Sequence, residues 1–214
     1  ANPEIEAVVA LCSDELCEAI QSGFKTLKWH AKPKVDIRLK PNKDDGAIMS
    51  EGAVALVLER ADIAQSRGGK VIAELAGASI TNDAYQLAYP AADGRGLSLA
   101  MKQCLIDARQ KGINPDLIFS GSSGTSVDNK LERAAVDSTY KSLPPIVTTK
   151  RNIGVAMGAS IFFDVALATE ILRKNVIPKS LLDQQKINEP ISTIMCNGVG
   201  LNGLYGSILI RKNK

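Results

Sequence analysis

A chain of 214 residues is long enough for one well-buried core or a little more. Its residues are 45% apolar, 23% charged and only 4% aromatic, and the formal net charge of +3 is dispersed over positions such as Lys25, Lys28, Lys32, Lys34, Arg38 and Lys40. Scattered charge with few stacking rings excludes a dedicated nucleic-acid binder, which gathers its basic residues into a patch.

No apolar run approaches the ~18 residues that span a bilayer. The opening residues "ANPEIEAVVALC" carry acids rather than the basic start of a secretory signal. The expectation is a cytoplasmic protein with no membrane or nucleic-acid partner. Cys12, Cys17, Cys104 and Cys196 form no CxxC pair, and His30 is the sole histidine. A tetrahedral zinc site is therefore not expected, and neither is any other metal or cofactor; free thiols in a reducing compartment are.

In chain order, Ile5 to Leu11 reads as a buried strand. Ser13, Asp14 and Glu15 offer an N-cap and an acidic first turn for a helix reaching about Leu27. A polar loop with lysines and prolines is expected over 31–45. The run from Ala53 to Leu58 has strand length, and "RADIAQSRGG" reads as a helix closed by Gly68 and Gly69. "VIAELAGASI" is β-rich and ends at the turn Thr81-Asn82-Asp83. In "GLSLAMKQCLIDARQKG", Leu97, Met101, Leu105 and Ala108 share a helical face and Gly112 ends it. "DLIFSG" is a strand running into the small-residue loop "SGSSGTSVDN", where Asp128 or Asn129 can cap a helix through Ala135. "PPIVTTK" is another strand, Gly154 to Ser160 leads into the helix "IFFDVALATEILRK", and the end reads as two strands around a glycine-rich turn. Alternating strands and helices of this kind indicate an α/β protein with mainly buried strands.

The ordered motifs "GAIMSEGAVALVLE", "SITNDAYQLAYPAADGRG", "SGTS", "TTKRNIGVAMGAS" and "NGVGLNGLYGS" resemble the β-ketoacyl-[acyl-carrier-protein] synthase family, over nearly the whole chain. The resemblance implies the thiolase fold. The chain would supply the C-terminal half plus the last strands of the N-terminal half, with 1–68 ending the first half and 69–214 forming the second. The segment that carries the family's nucleophilic cysteine has no counterpart. Cys12 stands at a strand end where the family has a glycine-rich sequence, and the other cysteines read as small buried hydrophobes.

In the family, two histidines point ring N–H groups at the enolate of a decarboxylative Claisen condensation. The first opens an "HGT" loop, where Ser123 stands here; the second follows the glycine matched by Gly154, where Val155 stands. Valine has no donor, and serine is no general base near neutral pH without help. His30 lies outside both motifs. Lys150 matches the family's active-site lysine and Asp164 a glutamate able to pair with it. Leu201 stands at the gating phenylalanine position and, with Thr125, is expected along a substrate tunnel.

The resemblance thus implies a degenerate, chain-length-factor-like subunit with no catalytic residue of its own. Its partners would be a catalytic ketosynthase and, through that complex, an acyl carrier protein. Chain length factors have two halves, and this chain departs from that length. The alternative is the C-terminal piece of an active synthase whose nucleophile half is separate or removed, with Ser123, Lys150 and Asn197 as its remaining polar groups. A structural remnant without a tunnel role is the third reading.

Overall fold

The computed structural model describes residues 4–30, 46–86, 89–109, 114–182, 187 and 190–213. The expected polar loop over 31–45 and the helix-ending Gly112 lie outside them. Strands β1 (Ala7–Asp14) and β2 (Gly52–Glu59) form an antiparallel ribbon in which Val9 faces Val57 and Leu11 faces Ala55. The first strand runs past its expected end because Ser13 and Asp14 pair with Ala53 and Gly52, and the Asp14 carboxylate accepts the Ala159 N–H at 3.0 Å. Those residues therefore do not cap a helix. Helix α1 (Glu18–Thr26) starts after Cys17 instead, so tertiary pairing overrides a local capping preference.

Helix α2 (Ala61–Ser66) leads to Gly68, whose φ of +70° suits glycine. After it come β3 (Ala73–Asn82), α3 (Arg95–Asp107), β4 (Leu117–Phe119) and α4 (Ser126–Thr139). The cap of α4 is Thr125, whose hydroxyl accepts the Asp128 N–H, so Asp128 and Asn129 sit inside the first turn rather than before it. Then follow β5 (Ile146–Val147), α5 (Lys150–Ile153), a 3₁₀ turn over Met157–Ala159, α6 (Ser160–Lys174), β6 (Thr193–Val199) and β7 (Leu204–Lys212). No helix among the described residues is long and apolar enough to cross a membrane.

The main sheet has the order β3-β7-β6-β4-β5, with β4 parallel to both β5 and β6, and β7 antiparallel to β6 and β3. Alternation along its strands divides the core in two. Ile118, Met195 and Leu209 join Leu97, Met101 and Leu131 of α3 and α4 on one face. Leu117, Phe119, Ile194, Cys196 and Ile210 join Val165, Ala168 and Leu172 of α6 on the other. Leu56 of the ribbon packs against this second cluster, so α6 is sandwiched between the sheet and the ribbon.

The strands β4 and β6 are buried as their apolar sequences require, but the ribbon is not. On its outer face Val9 is 68%, Leu11 69% and Val57 73% exposed, because nothing among the described residues covers that face. A third, smaller cluster sets Phe24, Ala47, Met49 and Val155 against Trp29 and Met157.

Candidate functional site

The parallel strands β4, β5 and β6 bring the loops at their C-terminal ends to one edge of the sheet, the usual place for a site in such folds. Beneath that edge lies a buried polar network. Lys150 Nζ donates to the Ser120 carbonyl at 2.6 Å and to Asp164 Oδ2 at 2.9 Å, while Thr149 Oγ1 donates to Asp164 Oδ1 at 2.6 Å. Glu132, one turn along α4 from Asp128, accepts the Ser120 hydroxyl and, at 2.8 Å, the Gly121 N–H. Asp164 is fully buried, Glu132 and Lys150 nearly so. Burial lifts the carboxyls of Glu132 and Asp164 above their usual range, against the pull of Lys150. The pairing expected for Lys150 and Asp164 is thus present as a dry ion pair.

Ser123 does not present a free donor. Its hydroxyl and its N–H, the latter at 3.2 Å, both go to Asp128 Oδ2, and Asp128 is only 3% exposed. Val155 is held as a strand-like bridge: its N–H donates to the Ile48 carbonyl at 2.7 Å, and its own carbonyl accepts Ser50 N–H at 3.0 Å. Gly154 before it has φ +80° and ψ −174°, a conformation essentially reserved for glycine. The same short segment reaches the other loop, since Gly46 N–H donates to the Gly124 carbonyl at 3.2 Å and Ala47 N–H to the Trp29 carbonyl at 2.7 Å. Residues 46–50 therefore staple the Ser123 loop, the Val155 loop and the end of α1 together.

Ser123, Lys150, Val155 and Leu201 come together around one cavity of about 480 Å³, which Asp128 and Asn197 also line. Its remaining walls are mainly apolar, with Trp29, Ile80, Met157, Ile161, Phe162 and Leu204 among them. Asn197 is fully buried and its Oδ1 accepts the Ser207 hydroxyl at 2.9 Å. Asp164 lies behind Lys150 and is not part of the lining. Thr125, expected along a tunnel, is not part of it either and is occupied as the α4 cap. His30 sits off the cavity, bridged to Ala47 with Nε2 3.2 Å from the Gln21 carbonyl.

No thiol in the fully buried cores is poised for attack. Burial pushes Cys104 up to about 12 and Cys196 well above the usual thiol range. Cys12 and Cys17 are half-buried and do not line the cavity. The acids Asp128 and Glu132 escape the motif reading because they resemble ordinary acidic residues in the first two turns of a helix. Their i, i+4 spacing beside Leu131 and Ala135, on the buried face, is the signal that they point inward.

The family description "Beta-ketoacyl synthase, C-terminal domain" matches residues 72–182, just over half of the chain. The 3-oxoacyl-[acyl-carrier-protein] synthase 2 of Rhizobium meliloti (strain 1021) is 28% identical over 92% of this chain and 52% of its own length. That of Staphylococcus aureus is 37% identical over 54% of this chain and 30% of its own. The chain spans about half the length of the curated relatives it matches. Among solved structures, a type II PKS acyl-carrier protein in complex with its ketosynthase superposes with a TM-score of 0.86 at 23% identity, over 98% of this chain and 57% of that one. The ishigamide ketosynthase/chain length factor gives 0.84 at 22% identity, over 99% and 55%. The fold is therefore that of the thiolase-like ketosynthases, and the chain belongs to the β-ketoacyl synthase family, whose C-terminal domain it carries.

Proposed function

We propose that the chain is a non-catalytic, chain-length-factor-like subunit that pairs with a catalytic ketosynthase during type II polyketide, aryl polyene or fatty acid elongation on an acyl carrier protein. The observation that carries this reading is the state of the two positions matching the family's histidines. Ser123 spends its hydroxyl on Asp128, and Val155 has no polar side chain at all. A developing enolate placed there would meet a carboxylate and a methyl surface instead of donors, the reverse of what electrostatic stabilisation requires.

The domain division at 68/69 is part of the same proposal, with the ribbon and α1 as the remainder of a first half. The alternative, a piece of an active synthase, draws on Lys150 and Asn197 facing the cavity. Co-expression with the ketosynthases encoded nearby, followed by condensation assays on acyl carrier protein, separates the two. The proposal expects a stable complex, no condensation by this chain alone, and altered product length when it is withheld. A ketosynthase that needs no such partner, and makes the same product without it, would overturn the proposal.

A further inference from the structure

One wall of the cavity carries a strained residue. Met157 has φ +40°, and among the described residues no other non-glycine lining the cavity has a positive φ. A Cβ makes that conformation costly, whereas the next residue, Gly158, would adopt it freely. Strain of this kind persists only where the surroundings hold it, and it gathers at functional sites. The side chain held in this way belongs to two environments. It lines the cavity, and it packs against the third apolar cluster of Phe24, Ala47, Met49 and Val155. Elsewhere the cavity is open, since Ile80, Leu201 and Leu204 of its lining are exposed. Its closed side is the one where Met157 and the buried Val155 back onto that cluster.

We infer that Met157 is the stop at the closed end of the cavity and sets the length of unbranched hydrocarbon chain that it accepts. A volume of about 480 Å³ is that of a small-molecule site, and Ile80, Ile161, Phe162 and Leu204 give it walls for methylene groups. Each methylene buried there adds roughly fourfold to affinity until the chain end meets the thioether. Further methylenes have no dry space left and add nothing. Methionine suits such a stop because it is unbranched and fills an irregular gap closely. Cutting the side chain back to Cβ removes three heavy atoms and opens room for about three more carbons. The inference rests on the proposal that this chain influences product length, and deepens it by assigning the residue that measures that length.

Trp29 is the only tryptophan in the sequence, and it lines the cavity, so its emission reports filling of the chamber. The test titrates the native chain with primary alcohols from hexanol to tetradecanol, following Trp29 fluorescence and, independently, calorimetric heat. These probes are uncharged, so the ionic groups at the polar end of the cavity do not decide the outcome. Affinity in the native chain is expected to climb with length and then level off. In Met157→Ala and Met157→Gly the levelling is expected about three carbons later, while Met157→Leu keeps it near the native length. Met157→Gly suits the positive φ, so it decides the matter even if Met157→Ala does not fold. No binding of any alcohol to the native chain, a climb that never levels, or levelling at the native length in the folded short variants would each overturn the inference. None of these readouts involves a ketosynthase. A chain that forms the complex without the length shift loses only this inference, and one that shows the shift without forming the complex loses only the other reading.

Discussion

Lys150 is the residue on which the electrostatics of the site turn. It is the cation buried among Asp164, Glu132 and the Ser120 carbonyl. Removing it leaves Asp164 in a dry environment with only Thr149 as a donor, and uncompensated buried charges of that kind cost roughly 3–5 kcal/mol. Lys150→Met is therefore expected to lower the unfolding free energy obtained from urea titration by an amount in that range, and adding Asp164→Leu to recover much of the loss. A small effect of the single change would show that the pair contributes little. The Lys150–Asp164 pairing is readable in the sequence because both residues fall in matched motifs. The engagement of Ser123 by Asp128 is not, because the two side chains meet only after the loop folds back five residues onto the first turn of α4.

At the scale of elements, the short segment 46–50 and the turn at Gly154 decide whether the loops form one site. A Cβ added at Gly154 would lie 2.7 Å from Ser50 Cβ and 2.9 Å from the Ile48 carbonyl oxygen, and the backbone conformation is itself strained for any other residue. Gly154→Ala is expected to destabilise the chain by about 1–3 kcal/mol. It should also shift Trp29 emission in the absence of ligand, since the staple ties that tryptophan to the same segment. Differential unfolding and emission spectra check the two effects together; a native emission spectrum would uncouple Trp29 from the turn. Periodicity identifies α3 and α6 well, because their buried faces are long and regular. It misplaces the start of α1 and the cap of α4, where a ladder to β2 and the Thr125 hydroxyl settle matters that local preference leaves open.

For the whole molecule, the ribbon is the incompletely satisfied part. Its inner side packs through Leu56 towards α6, while Val9, Leu11 and Val57 stand in water on the outer side. Contiguous apolar surface of this kind drives association. The chain without a partner is expected to show a weight-average mass that rises with concentration, and the pair Leu11→Lys and Val57→Lys to suppress the rise. Light scattering after size exclusion measures both; a concentration-independent mass in the native chain would remove the ribbon face from the set of interaction surfaces. The alternating strand and helix pattern makes the α/β class legible in the sequence. It does not show that a strand pair with strongly apolar composition lies uncovered, because burial depends on what packs on each face and not on composition alone.

The staple formed by residues 46–50 also carries a temporal consequence. Its bridging partner, Val155, lies roughly 100 residues further along the chain, a separation of the kind that slows folding. During synthesis the segment emerges well before the turn it must clasp, so the chamber cannot close until the ribosome has released the start of α6. Until then Met49 and Trp29 have no Val155 or Met157 to pack against, and this part of the nascent chain must wait for its partners.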